Sequence, residues 1–262
     1  MDQTIKLSEN REQTVARFYN ALAEDYDLMT DFARRFVHEK PFFHMLVDRH
    51  KVSSALDAGC GTGFHSLLLT QLGVKMTAVD ASEEMVKRLQ HHADAMKLNV
   101  KGLVATFEDL PDVETEKFDL VLCMGNSLAH ILTEQSMFVV LNNFRRLLKE
   151  KGVLFVQNLN YDRILHRQEH IQSKRVTTSK TFIRSYEFRD RKILFNLETL
   201  DTSRSTSGRL QTIPLRPWLR EELDAILQKV AFENVHFYGD IALHEFEPRD
   251  SKDLVIMAHN GL

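Results

Sequence analysis

A glycine-rich turn and a carboxylate one strand further on are the residues of this 262-residue chain whose spacing points most directly to chemistry. Asp57-Ala58-Gly59-Cys60-Gly61-Thr62-Gly63 continues the apolar run Ala55-Leu56, and Phe64 to Leu72 behind it has helical character. Glycine lacks the Cβ that would hold a ligand away from the backbone, and a helix start adds unpaired N–H donors. Asp80 ends the next apolar run, where a carboxylate accepts hydrogen bonds from both hydroxyls of a ribose. Together they describe an adenosine-ribose pocket. A nicotinamide dinucleotide fits less well: Gly-x-Gly-x-x-Gly would need glycine where Phe64 stands, and here it falls one residue early at Gly63. Asp57, two positions before the first glycine, is poorly placed for a pyrophosphate and well placed for an amino-acid ammonium.

Phe107 offers an apolar face for a purine ring, with Ala81, Ser82 and Met85 near its other side. Packing into the core is the competing account of this aromatic. Tyr19 and Tyr26 lie on one face of a leading helical pattern, and simple packing accounts for Tyr19 as readily as a place at the pocket. His91-His92 with Asp94 reads as a solvated helix face, lacking the tetrahedral set that zinc demands. Cys60 and Cys123 are isolated, and neither Ser66 nor Ser127 has a nucleophilic-triad context, so no metal and no covalent intermediate is expected.

These residues need elements to hold them. Val15, Phe18, Tyr19, Leu22 and Tyr26 recur at helical spacing, and Pro41 suits the first turn of a second helix running to Val47. Strands are expected at Ala55 to Asp57, Lys75 to Asp80, Val100 to Phe107, Phe118 to Met124 and Val153 to Gln157, alternating with amphipathic stretches. That alternation implies a parallel sheet covered on both faces. From Tyr161 to Ile213 the rhythm becomes antiparallel, at Thr181 to Phe188 and Lys192 to Leu200, with Ser173 to Lys180 as a solvated loop. Helical spacing returns at Leu219 to Val230, then strands near Asn234 to Tyr238 and Asp253 to Ala258. The division expected is a core unit of residues 1–160 and 214–262 and an insertion of residues 161–213 over the ligand edge of the sheet.

A net charge of -3 argues against a dedicated nucleic-acid binder, and a small-molecule acceptor is easier to accommodate. The polar stretch Met1 to Gln13 lacks a signal-peptide core, no apolar run reaches membrane-spanning length, and two cysteines suit a reducing, cytoplasmic setting. Oligomeric state is not legible.

The pattern Leu56-Asp57-x-Gly59-x-Gly61-x-Gly63 with Asp80 beyond it resembles the class I S-adenosylmethionine-dependent methyltransferases. The resemblance implies an α/β, Rossmann-like seven-stranded sheet from Val15 onward, with S-adenosylmethionine as cofactor. It places Asp57 and Gly59 at the methionine end, Asp80 at the ribose and Thr106-Phe107 at the adenine, and implies a leading tyrosine, here Tyr26, as a lid over the cofactor. Leu122-Cys123-Met124-Gly125-Asn126-Ser127-Leu128-Ala129-His130, with Asn158-Leu159-Asn160-Tyr161-Asp162, resembles the glycine and sarcosine N-methyltransferase branch. That resemblance, carried to Asn126 and His130 alone, implies that these two line the active site near the sulfonium and the substrate and that the reaction is N-methylation of a small amine; Asn126 and the Met124 to Gly125 backbone are expected to orient the donor and nucleophile. A hydroxyl or nucleic-acid acceptor, a nicotinamide oxidoreductase and a non-catalytic cofactor binder are the alternatives. Where glycine-methylating members carry a carboxylate-binding arginine this chain has Leu159, so free glycine is expected to be a poor acceptor. Arg184 or Arg216 is the candidate replacement, and Tyr186 a further roof residue over the acceptor.

Overall fold

A computed structural model describes residues 13–190, 192–202 and 208–261. All but the last residue of the polar leader Met1 to Gln13 lies outside this range.

Seven strands form one sheet: β1 (Ser54–Ala58), β2 (Lys75–Asp80), β3 (Val100–Val104), β4 (Phe118–Cys123), β5 (Leu148–Leu159), β10 (Phe232–Tyr238) and β11 (Asp253–Asn260). Their order is β10-β11-β5-β4-β1-β2-β3, all parallel except β11, which runs antiparallel to both its neighbours. Successive strand residues point to opposite faces, and both faces here are apolar. Leu56, Val121, Leu154, Val156 and Ile256 enter one core beneath α6 (Leu110–Val113), α7 (Glu134–Leu147) and α9 (Arg220–Lys229). The alternate residues Ala55, Leu120, Leu122, Phe155 and Val255 enter the other. This second core lies beneath α3 (Phe32–His50), α4 (Phe64–Gln71) and α5 (Glu83–Met96). The near-continuous apolar runs of the sequence are what a doubly covered parallel sheet requires.

Between β5 and α9 the chain leaves the sheet for α8 (Tyr161–Arg167) and a four-stranded antiparallel sheet of β6 (Ile171–Val176), β7 (Lys180–Arg189), β8 (Lys192–Asp201) and β9 (Gly208–Leu215). The segment 173–180 is not the loop expected of it: strand β6 reaches Val176 and pairs with β7, its polar residues suiting an edge strand that water covers. Helix α8 was not anticipated; Asn160 caps it by accepting from the Arg163 N–H at 3.2 Å.

The leading segment also departs from its expected form. Residues 13–20 form a first helix, α1, the chain turns at 21–25, and Tyr26 begins a separate short helix, α2 (Tyr26–Thr30). Helix α3 begins at Phe32 rather than at Pro41, which sits inside it. The carbonyl that Pro41 leaves unpaired belongs to Val37, a residue 73% exposed, so solvent can reach it and the cost of the missing donor is small. No helix among the described residues is long and apolar enough to cross a membrane.

Candidate active site

Two clefts open along the carboxyl ends of the strands and meet. The first, of about 700 Å³, is bounded by the β1 loop at Gly59 and Gly61, by Asp80 and Ala81 after β2, by Thr106 and Phe107 after β3, and by Tyr26. The second, of about 1680 Å³, lies between the leading helices, the ends of β4 and β5, and the four-stranded sheet. Tyr19, Tyr26, Gly125 and His130 border both.

In the first cleft Asp80 is held from two sides. Its Oδ2 accepts from the Gly61 N–H and its Oδ1 from the Ser82 N–H, each at 2.9 Å. Burial pushes its carboxyl up to about 6, the nearby Asp57 charge adding to the rise and the two backbone donors opposing it. The Gly61 turn has φ +54°, and a Cβ there would stand 3.4 Å from the Tyr26 ring, so the lid tyrosine closes directly on the loop. Phe107 borders the cleft and meets Phe144 edge-on at 5.6 Å between centroids. Its loop is fixed by Asn143, whose Nδ2 donates to the Phe107 and Glu108 carbonyls at 3.1 and 3.0 Å. An aromatic face, a carboxylate at the cleft and a loop whose glycines Gly59 and Gly61 take positive φ and leave its backbone bare fit the adenosine part of S-adenosylmethionine.

Three residues expected at the cofactor stand behind that wall instead. Asp57 is fully buried, one oxygen accepting from Ser66 Oγ at 2.6 Å and the other without a partner among the described residues, and burial raises its carboxyl above the ordinary range. Gly63 has φ +90°, and a Cβ there would lie 2.6 Å from Leu89 Cγ, so this glycine serves the packing of α4 on α5. Met85 is buried in the first turn of α5, its N–H capped by Ser82 Oγ at 3.1 Å.

The lid is tied down from two directions. Tyr19 Oη lies 2.9 Å from His130 Nε2, joining the leading helix to the turn after β4. Asp27, next to Tyr26, accepts from Thr62 Oγ1 at 2.6 Å and lies 2.8 Å from His92 Nε2. His92 is therefore a lid contact rather than the solvated face expected of it, and these hydrogen bonds hold the Asp27 carboxyl below its usual range against the effect of burial. Burial raises the Tyr19 and Tyr26 phenols, keeping both neutral and able to donate.

At the end of β4, Gly125 and Asn126 both adopt left-handed backbone, with φ of 71° and 72°. Asparagine tolerates this better than other side chains. Both ends of the Asn126 amide are engaged: Nδ2 donates to Tyr161 Oη at 2.8 Å and Oδ1 accepts from the Leu159 N–H at 3.1 Å. Asn126 thus braces the ends of β4 and β5 while facing the second cleft, as do Met124 and Leu159.

Arg184 and Tyr186, on β7, line the second cleft. Arg216 does not: its guanidinium stacks 3.6 Å from the centre of the Trp218 ring and pairs with Glu222 at 2.8 Å, so its charge is already answered. Sequence reasoning missed Gln172, Ser127 and Ile131 in the walls and the part played by Tyr19, whose partner is 111 residues away.

A family model described as a methyltransferase domain matches residues 55–152. Over 247 residues the chain is 26% identical to the glycine/sarcosine N-methyltransferase of Aphanothece halophytica, covering 88% of this chain and 86% of the relative. It is 32% identical over 140 residues to the enzyme of that name from Parasynechococcus marenigrum, covering 53% of this chain and 50% of the relative. The solved structure of an S-adenosylmethionine-dependent methyltransferase from Clostridium acetobutylicum matches with a TM-score of 0.79 at 17% identity, covering 93% of this chain and 99% of that one. The fold is that of the class I methyltransferases.

Proposed function

We propose that this chain, an S-adenosylmethionine-dependent methyltransferase, methylates the nitrogen of a small-molecule amine. The observation that carries the reading is the meeting of the two clefts at Tyr19, Tyr26, Gly125 and His130. Asp80 would hold the ribose, Phe107 and Ala81 the adenine, and the Gly59 to Gly61 backbone the methionine end. Bound S-adenosylmethionine supplies a methyl carbon on a sulfonium, an electrophile whose thioether leaves with the bonding pair. The chain's own task is alignment and exclusion of water. Tyr26 closes over the loop, and Asn126 fixes the β4 and β5 ends that frame the junction. Attack requires a neutral amine. The Tyr19 and His130 pair stands at the shared border, where it would orient the amine and take up a proton. The relatives named for N-methylation of glycine and sarcosine support an amine over a hydroxyl. Incubation with labelled cofactor and a panel of small amines and matched alcohols tests this: amine methylation is expected, and label confined to alcohols would refute it.

A further inference from the structure

The second cleft contains a cation, Arg184, that has no carboxylate partner among the described residues. Arg184 lies partly buried on β7, and its Nε donates to Ser173 Oγ at 2.6 Å. Among the described residues it makes no ion pair. The charged and titratable groups that bear on it most are Tyr186, Tyr26, Tyr19 and the second cation Arg175, whose own charge is taken by Asp31 at 2.8 Å. Burial accordingly lowers its proton affinity. A guanidinium removed from water without a carboxylate partner is costly, and in a cleft the partner that restores the balance is a ligand.

Beside it lies a second unanswered group. The pairing of β6 with β7 slips between Ile171, opposite Ser185, and Ser173, opposite Arg184, which leaves Gln172 as the extra residue of a bulge. Bulges re-aim side chains, and Gln172 lines the cleft with a buried Oε1 that has no hydrogen-bond partner among the described residues. An amide end presents either a donor or an acceptor, so the group it awaits is polar in both orientations.

We propose that the acceptor is an amine carrying a carboxylate and, beyond it, a further hydrogen-bonding group, and that Arg184 and Gln172 on the β6–β7 hairpin read these two features. The proposal rests on amine methylation at the cleft junction and adds which amines are taken. It follows that glycine, which has the carboxylate and nothing beyond it, leaves Gln172 unsatisfied. The recognising cation comes from the insertion rather than from the β5 end, where Leu159 lines the same cleft.

The test reads binding separately from turnover. The protein is saturated with S-adenosylhomocysteine and titrated by calorimetry with serine, threonine, aspartate and histidine, with glycine, and with the decarboxylated amine of each. Carboxylates with a polar side chain are expected to bind about tenfold to a hundredfold tighter than their decarboxylated counterparts. Arg184→Ala should abolish that difference, Arg184→Lys restore part of it, and Gln172→Ala reduce the advantage over glycine while sparing the carboxylate preference. S-adenosylhomocysteine affinity, measured on each variant, should stay within about twofold, which shows that the variants fold. Equal binding of carboxylates and decarboxylated amines, or a preference that survives Arg184→Ala, overturns the proposal even if amines are methylated. Failure of every amine to accept a methyl group while the binding preference holds would instead refute the N-methylation reading.

Discussion

With Asp80 at the ribose, as proposed, cofactor affinity is expected to follow pH in a window where an ordinary aspartate is silent. Its carboxyl is raised from 3.8 to about 6, burial being the largest cause. Because the folded state favours the protonated form, this contribution to stability is fully present below 3.8 and lost as pH rises through about 6. Near neutrality the buried charge is a burden of about 3 kcal/mol at most, since each pH unit separating the two values is worth about 1.4 kcal/mol. In the proposed mode ribose hydroxyls would donate to the carboxylate and offset part of it, so that binding would select the ionised form. With the carboxyl near 6, about one tenth of the protein is ionised at pH 5. The Kd of S-adenosylhomocysteine should therefore rise about tenfold between pH 7.5 and 5. Asp80→Asn should weaken binding about tenfold to a hundredfold at neutral pH and remove the dependence. Calorimetric titration of both proteins across this range measures it. A flat wild-type profile, or a slope that persists in the variant, would show that Asp80 does not hold the ribose.

Three further perturbations separate the parts of the site. Tyr19→Phe removes the 2.9 Å contact to His130 while keeping the ring; kcat should fall about tenfold with S-adenosylhomocysteine Kd within about twofold, and unchanged turnover would remove the pair from the chemistry. His92→Ala releases Asp27 beside the lid, and stopped-flow should show S-adenosylhomocysteine leaving about fivefold faster, against an unchanged rate if the latch is idle. Gly63→Ala combines a positive φ with a Cβ 2.6 Å from Leu89 Cγ; it should lower stability by about 2 to 4 kcal/mol in chemical denaturation, and a stability loss near zero would contradict the packing role.

The first cleft was legible because its signals are local. The turn from β1 and the carboxylate at the end of β2 lie within one βαβ unit, and glycine spacing alone separates a ribose pocket from a dinucleotide site. Even there, spacing did not distinguish Gly61, which meets the lid, from Gly63, which meets Leu89. The second cleft depends on contacts between distant segments. Arg184 and Arg216 look alike in sequence, and only the fold sends one into a cleft and lays the other on Trp218. His92 read as solvated because its partner, Asp27, is 65 residues away. Gln172 had no signal at all, since a bulge is a property of pairing between strands. Pro41 misled because its ordinary preference for a first turn yielded to an exposed stretch of helix in which solvent can reach the unpaired carbonyl.

Methyl transfer to nitrogen at the junction of the two clefts is tested most directly by following an isotopically labelled cofactor methyl group by NMR with carboxylate-bearing amines present. Label should appear at an N-methyl shift, S-adenosylhomocysteine should form in equal amount, and Arg184→Ala should suppress both while the cofactor still binds. Label found on oxygen, or cofactor bound tightly with no transfer to any amine, would contradict this chemistry.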